Sequence, residues 1–442
     1  MENGGKISFN FDDETAQRKT SQVGWRTGIS GNQALMNFCR VLVGTGVLAL
    51  PLAFKQSGSI MGIFLVFFGG YFFTYLSCDK MVVSALALAQ RHGYTSLDYG
   101  NVAEKSFAHS FHSIRRFGPV FRYFANISIL LMQMGVTAVY TVFIKEHFEE
   151  IWNRFYPRDP LSEWNFFLIT LFLLCLLVML RNIKIISWIS TIGNILMMLV
   201  LTMVFQDLVR PPYSTAQSSE QHSLSSVVAA AGNIVYAYCS QAVVLPLANK
   251  MKEPREMSGW RGVLSLGCSF VTVLYALVGF FGYLKYGDAV RGSVTLNLPD
   301  TTFYFMVRVI LVFVVFSSYL IQHFVMIDMA LPFVKIFFPQ NFFVRKFPGS
   351  VERLLCVIFV GFGFLLAVSV PNLGRITSLV GVTAGCLLGF IIPASMHTAT
   401  FLPEYLQNKN YKAIILHIFT NFLFFIFGIF FTITGIASNL AM

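Results

Sequence analysis

Gly44-Thr45-Gly46-Val47-Leu48-Ala49-Leu50-Pro51-Leu52-Ala53 and Cys239-Ser240-Gln241-Ala242-Val243-Val244-Leu245-Pro246-Leu247-Ala248 read as two versions of one segment. Aligning Pro51 with Pro246 sets Thr45 opposite Ser240, and Leu50, Leu52 and Ala53 opposite Leu245, Leu247 and Ala248. Each lies in an apolar stretch long enough to cross a bilayer, and the two stretches sit five spans apart. An odd separation turns the second copy upside down relative to the first, which is the signature of an inverted repeat. Gly-x-Gly and Pro also serve ordinary packing and kinking in membrane helices. The matched spacing is what argues for a repeat.

Both segments read as helices interrupted near mid-membrane. Gly44 and Gly46 let the backbone open, and the two prolines remove helix hydrogen bonds. Freed amides at the head of a half-helix carry partial positive charge and suit a carboxylate, whereas freed carbonyls suit an ammonium or a cation. A zwitterionic amino acid matches both. The expected substrate contacts are therefore Val43, Gly44, Thr45 and Gly46 on the first segment and Tyr238, Ser240 and Gln241 on the second. Gln133 and Tyr140 lie seven apart, on one helical face, and are expected to complete the pocket, with Ser317, Ser318 and Gln322 opposite. Ser and Thr in such helices also satisfy only their own backbone.

The rest of the chain fits the same setting. Of its 442 residues, 55% are hydrophobic and only 12% charged, with a mean hydropathy of +0.65. Soluble domains carry charges at about a quarter of their residues, so most of this surface faces something other than water. Apolar runs recur at 33–53, 60–78, 120–144, 164–180, 185–208, 224–247, 263–284, 304–334, 354–370, 376–396 and 413–436. These make about eleven spans. Each must be a helix, because unpaired backbone groups are too costly in hydrocarbon. The expected fold is an all-α polytopic membrane protein, with 1–32 a flexible cytoplasmic tail, 33–208 a first five-helix repeat, 224–396 a second, and 413–436 an eleventh helix. Gly381-x3-Gly385-x3-Gly389 reads as helix packing.

Basic residues set the orientation. With the tail inside, about 22 Lys and Arg fall on the cytoplasmic side against about 8 outside. The loop from Asp79 to Val120 and the loop from Lys250 to Arg261 supply much of the excess. The net charge of +11 belongs to this asymmetry and to anionic lipid, not to nucleic acid. No apolar signal segment precedes residue 33. All seven cysteines fall in or at the end of spans, so neither a structural disulfide nor a metal site is expected, and no cofactor. Tyr94-Thr95-Ser96-Leu97 and Tyr411-Lys412-Ala413-Ile414 look like tyrosine sorting signals, a pattern that also arises by chance; plasma membrane and endosomal or lysosomal membrane both fit.

Five ordered motifs carry a resemblance. They are Val43 to Pro51, Val243 to Pro254, Gly292 to Pro299, Ser317 to Pro332 and Val370 to Gly381, and together they resemble the amino acid/auxin permease family, most closely the animal proton-coupled amino acid transporters. The resemblance implies eleven helices, a five-plus-five inverted repeat like the leucine transporter fold, and a substrate site between the first and sixth helices. It also exposes departures. Asn37 stands where members often carry a histidine suspected of proton handling, Leu42 where an Asn is usual, and Cys239 and Ala248 where the proton-coupled members have Glu. Their outer-loop cysteine is absent between Lys145 and Trp164.

Ionisable groups inside spans are functional by default. Arg40 and Arg308 lie near span ends and suit structural roles. His323 and Asp328, with Ser318 nearby, are the ion-coupling candidates, His323 because its charge is tunable near neutral pH; donation to a neighbouring carbonyl is its alternative role. An intramembrane enzyme would need convergent His, Asp, Glu or Cys groups that the spans lack, and no phosphate-binding loop is present to power a pump. The reading is a secondary transporter of small neutral amino acids or related solutes, proton-coupled or uncoupled rather than sodium-driven, alternating access around broken helices one and six. A channel and an amino-acid-sensing transceptor with little flux are its rivals.

Single cysteines at Arg115 and Lys252 are expected to label only from the cytosol, and at Arg158 and Asp288 only from outside. Labelling of position 158 from the cytosol would break the span parity on which the inverted repeat depends.

Overall fold

Ser30 starts the first helix: its hydroxyl accepts from the amide of Gln33 while the Gln33 side chain accepts from the amide of Ser30. This reciprocal cap satisfies two of the amides that a helix start leaves orphaned. The computed structural model describes residues 28–94, 96–158, 161–180, 182–214, 223–337, 348–409 and 411–441. Most of the expected tail, 1–27, lies outside them.

The helices are α1 (Gly31–Leu42), α2 (Leu50–Ser57), α3 (Ser59–Phe68), α4 (Ser77–His92), α5 (Tyr99–Ala108), α6 (Gly118–Phe155), α7 (Glu163–Leu177) and α8 (Ile183–Leu208). They continue as α9 (Leu224–Tyr238), α10 (Gln241–Asn249), α11 (Val263–Tyr286), α12 (Thr302–Phe337), α13 (Pro348–Ser369), α14 (Leu373–Val380), α15 (Ile392–Gln407) and α16 (Tyr411–Ala441). Among the described residues nine helical stretches are long and apolar enough to cross a membrane, and ten if the bent pair Gly31–Leu42 and Thr45–Ser57 counts as one span. The remaining expected span is α7, which at 15 residues falls short of that length. The fold is all-helical, of the expected polytopic kind.

Helix lengths differ from the sequence reading in informative ways. α6 runs for 38 residues, about 57 Å, roughly twice the thickness of a hydrocarbon core. Its last turns, from Lys145 onward, therefore carry polar residues beyond the apolar span. The segment 79–119, read as a loop, is largely helical. Met81, Val82, Ala85 and Leu88 on α4 and Val102, Ala103 and Phe107 on α5 recur at helical spacing and are buried, so packing continues where hydropathy has dropped. Leu97 is buried too, and its carbonyl accepts from Asn249. The three glycines of the Gly381 motif lie against the backbone of Gly232, the Val235 side chain and the Phe73 ring, as helix packing requires.

The first span breaks at Val43 and Gly44, where Val43 leaves helical torsions and Gly44 is extended, and the helices on either side differ in direction by 43°. The sixth-span segment opens at Cys239 and Ser240. The alignment offset of the two sequence segments places these breaks within one residue of each other. Pro51 is not the breaker: it sits in the first turn of α2, where its missing N–H is harmless. Pro246 lies inside α10, after the break.

Tyr275 of α11 holds the two breaks together. Its fully buried hydroxyl lies 2.5 Å from the carbonyl oxygen of Leu42 and 2.9 Å from that of Ala237, in the last turns of α1 and α9. Its ring packs on Tyr238, centroids 4.7 Å apart. Tyr275→Phe keeps the ring and removes only the donor, so it should lower unfolding stability by about 1–3 kcal/mol by taking a buried donor from the Ala237 carbonyl and leaving the Leu42 carbonyl to the Gly44 amide alone. Thermal or urea unfolding of detergent-purified protein reads this; an unshifted transition would mean that the breaks do not depend on the hydroxyl.

Candidate functional site

The break exposes two sets of backbone groups. Amides at the start of the short 3-10 segment Thr45–Ala49, and those at the start of α10, have no intrahelical acceptor. Gln241 caps the second set in part: its side-chain oxygen accepts from the amide of Ser240 at 3.1 Å. The other end of that side chain, Nε2, is buried and without a hydrogen-bond partner among the described residues. Ser240 Oγ is buried as well, and the Cys78 thiol, a weak hydrogen-bonding group, is its one hydrogen-bonding neighbour among the described residues. Two buried polar groups are thus left at the head of one half-helix. Such atoms are rare unless a ligand or water meets them.

The two glycines of the first segment separate by role. A Cβ on Gly46 would stand 2.7 Å from the Cα of Ala237, so Gly46 lets the first and sixth segments touch backbone to backbone. A Cβ on Gly44 would meet nothing within 4 Å. Gly44 and Thr45 are half-buried, whereas Gly46 is buried. Open space at the break therefore lies on the Gly44 side. Around it, the Tyr140 hydroxyl reaches Thr45 and Gln322, and the Tyr236 hydroxyl also reaches Thr45. α6, α9 and α12 thus converge on the first break.

The remaining expected residues divide. Gln133 is buried on α6, two turns from Tyr140, and Val43 is buried at the break itself. Tyr238 turns away: its hydroxyl donates to Thr272 of α11 at 2.9 Å, and its ring packs against Gly69 and Gly70. Ser317 and Ser318 both donate to the carbonyl of Val314, within their own helix. His323 is buried, with Nε2 3.2 Å from the carbonyl of Cys356 on α13, and Asp328 is exposed. Tyr236 and Tyr275 were not singled out by the sequence. Tyr236 lies four residues before Ser240, close to the break, a usable signal; Tyr275 has none.

Hydrogen bonds cross the broken pair at both ends. At the end where the chain enters, Ile29 exchanges backbone bonds with Lys250 and Lys252. At the far end, Asn233 of α9 donates to the Gln56 side chain of α2 at 3.0 Å and accepts from Thr377 of α14 at 2.5 Å.

A family model described as transmembrane amino acid transporter protein matches residues 27–436. "Proton-coupled amino acid transporter-like protein pathetic" of Drosophila melanogaster is 32% identical over 365 residues, 82% of this chain and 75% of its own length. "Probable amino acid transporter skat-1" of Caenorhabditis elegans is 26% identical over 422 residues, 93% of this chain and 90% of its own. Among solved structures, the inward-facing conformation of Mhp1 matches with a TM-score of 0.56 at 9% identity, covering 86% of this chain and 78% of that one. The shared architecture is the leucine-transporter fold. By name, the family and these relatives are transporters rather than enzymes.

Gly44→Leu should leave the folded protein intact and abolish substrate binding, since the side chain would occupy the open space. Gly46→Leu should fail earlier, at folding, because it drives α9 from the first segment. Fluorescence-detected gel filtration separates the two; equal loss of folded material in both would deny the space beside Gly44 a ligand role.

Proposed function

The chain belongs to the transmembrane amino acid transporter family, and on that premise we propose that it is a secondary active transporter of small neutral amino acids, working by alternating access around the breaks at Gly44 and Ser240. The observation that carries this reading is the pair of buried polar groups at a half-helix head in the sixth-span segment, Gln241 Nε2 without a partner among the described residues and Ser240 Oγ with only the Cys78 thiol beside it. Both are donors, and the amides of the half-helix start add partial positive charge, so together they suit a carboxylate. Tyr140, Tyr236 and Thr45 bring hydroxyls to the other break, where the space beside Gly44 leaves the backbone approachable. An α-ammonium fits that side, next to the carbonyls of a helix end.

Size follows from the same residues. Val43 and Val47 are buried around the first break, which favours a short apolar side chain over a charged one. Gln133 extends the polar lining along α6. The excess of basic residues on one side supports a cytoplasmic N-terminus in a multi-pass membrane protein. A proton, rather than sodium, is the proposed co-substrate, in keeping with the printed name of the Drosophila relative.

In proteoliposomes, labelled small neutral amino acids should accumulate with saturable kinetics when choline replaces sodium. Sodium-dependent uptake would overturn the ion assignment. Flux that does not saturate would indicate a channel, and ligand-raised thermal stability without flux would indicate a sensor.

A further inference from the structure

We infer that Glu146 is the proton-binding residue of the transport cycle, and that it acts on the two broken helices through the first turn of α14. This inference rests on the transporter reading above and names the group that the coupling needs.

Glu146 lies on the overhanging part of α6. One carboxylate oxygen, Oε1, accepts weakly from the amide of Leu373, the first residue of α14, at 3.4 Å. The other, Oε2, is buried with no hydrogen-bond partner among the described residues. The cations nearby are engaged elsewhere. Lys145 pairs with Glu149 at 3.2 Å and Glu163 at 2.6 Å. Arg291 is bound to Glu150, and Arg308 lies 3.3 Å from Glu150 and 3.8 Å from Asp300. Glu146 itself has no ion pair among the described residues. A buried carboxylate oxygen with neither cation nor donor is costly as an anion, and taking up a proton removes most of that cost.

Other titratable groups are differently placed. Asp207 is buried, but its two oxygens accept from the hydroxyls of Tyr286 at 2.7 Å and Tyr304 at 2.9 Å. On α6 itself the next residue is the fully buried His147, whose ring nitrogens meet the Phe143 carbonyl at 2.8 Å and Thr295 Oγ1 at 3.0 Å. His323 faces the carbonyl of Cys356.

A route connects the carboxylate with the breaks. Leu373, whose amide meets Glu146, gives its carbonyl to Thr377 Oγ1 at 2.8 Å. Thr377 Oγ1 also lies 2.5 Å from Asn233 Oδ1, so its one proton is shared between two acceptors, the Leu373 carbonyl and the Asn233 side chain, and Asn233 Nδ2 donates to Gln56 at 3.0 Å. Polar contacts therefore run from α6 to the first turn of α14, and from that turn, through the choice the Thr377 proton makes, to α9 and α2 at the far end of the broken pair. Loss of charge at Glu146 weakens its hold on the α14 start, since a charged acceptor binds an amide more strongly than a neutral one. That weakening is passed to the bonds that close this end.

A merely structural role, capping α14, makes a different prediction. Glu146→Gln keeps an acceptor for the Leu373 amide but cannot take a proton. Wild-type uptake should rise severalfold from neutral to acidic external pH, and in E146Q the acid-to-neutral ratio should fall to unity, while H323Q keeps the wild-type ratio. E146D, which keeps the acid but shortens its reach, should retain the dependence with a displaced midpoint, and it decides the matter if E146Q does not fold. A wild-type ratio in E146Q, an unmoved midpoint in E146D, or a flat profile in H323Q alone would overturn the assignment. So would pH-independent uptake by the wild type, which leaves amino acid transport standing; no uptake at any pH removes both.

Discussion

Within a bilayer no water is at hand to satisfy an opened backbone, and everything distinctive here follows from interrupting two helices under that constraint. Tyr275 serves the carbonyls of both interruptions with one hydroxyl. Gln241 folds back onto the amide of Ser240. Gly46 brings the two segments to backbone contact at Ala237, so that one residue of α11 can reach both. What these arrangements leave without a strong partner, Ser240 Oγ and Gln241 Nε2, is therefore concentrated at one place. The site is the remainder of a backbone accounting problem rather than an addition to a finished scaffold.

Much of the fold was legible because the bilayer writes it into hydropathy, and the inverted repeat because two segments kept a common pattern around Pro51 and Pro246. The offset of that alignment carries one break onto the other to within a residue. Their cause was less legible. The prolines mark the start and interior of the half-helices, whereas the openings fall upstream, at Gly44 and at Cys239–Ser240. Hydropathy also failed where packing continues in polar sequence, as in α4, α5 and the end of α6, since burial against other helices does not need an apolar average.

The candidate site was legible by segment and not by side chain. Gly44, Thr45, Ser240 and Gln241 lie at the breaks, as a repeat-based argument requires. Tyr238 and Tyr236 differ by two residues, roughly half a helical turn, so a small error in phase exchanges a scaffold tyrosine for one that reaches Thr45. Tyr275 and Glu146 carry no local pattern at all. Each matters because of a residue more than two hundred positions away in sequence, Leu42 for one and Leu373 for the other.

Both ends of the broken pair are closed by few bonds between neutral groups: backbone bonds at Ile29, and amide and hydroxyl side chains at Gln56, Asn233 and Thr377. Each such bond contributes about 0.5–1.5 kcal/mol net, small enough for thermal opening once a ligand biases the balance. Charged pairs lie elsewhere, where Lys145 with Glu163 and Arg291 with Glu150 join the end of α6 to its neighbours at the half-exposed rim. A transporter needs this division, because a gate held by buried ion pairs would be too costly to open and one held by apolar contact alone would have no group to sense a proton. The weak bonds at the far end meet a titratable group at one point only among the described residues, the amide of Leu373.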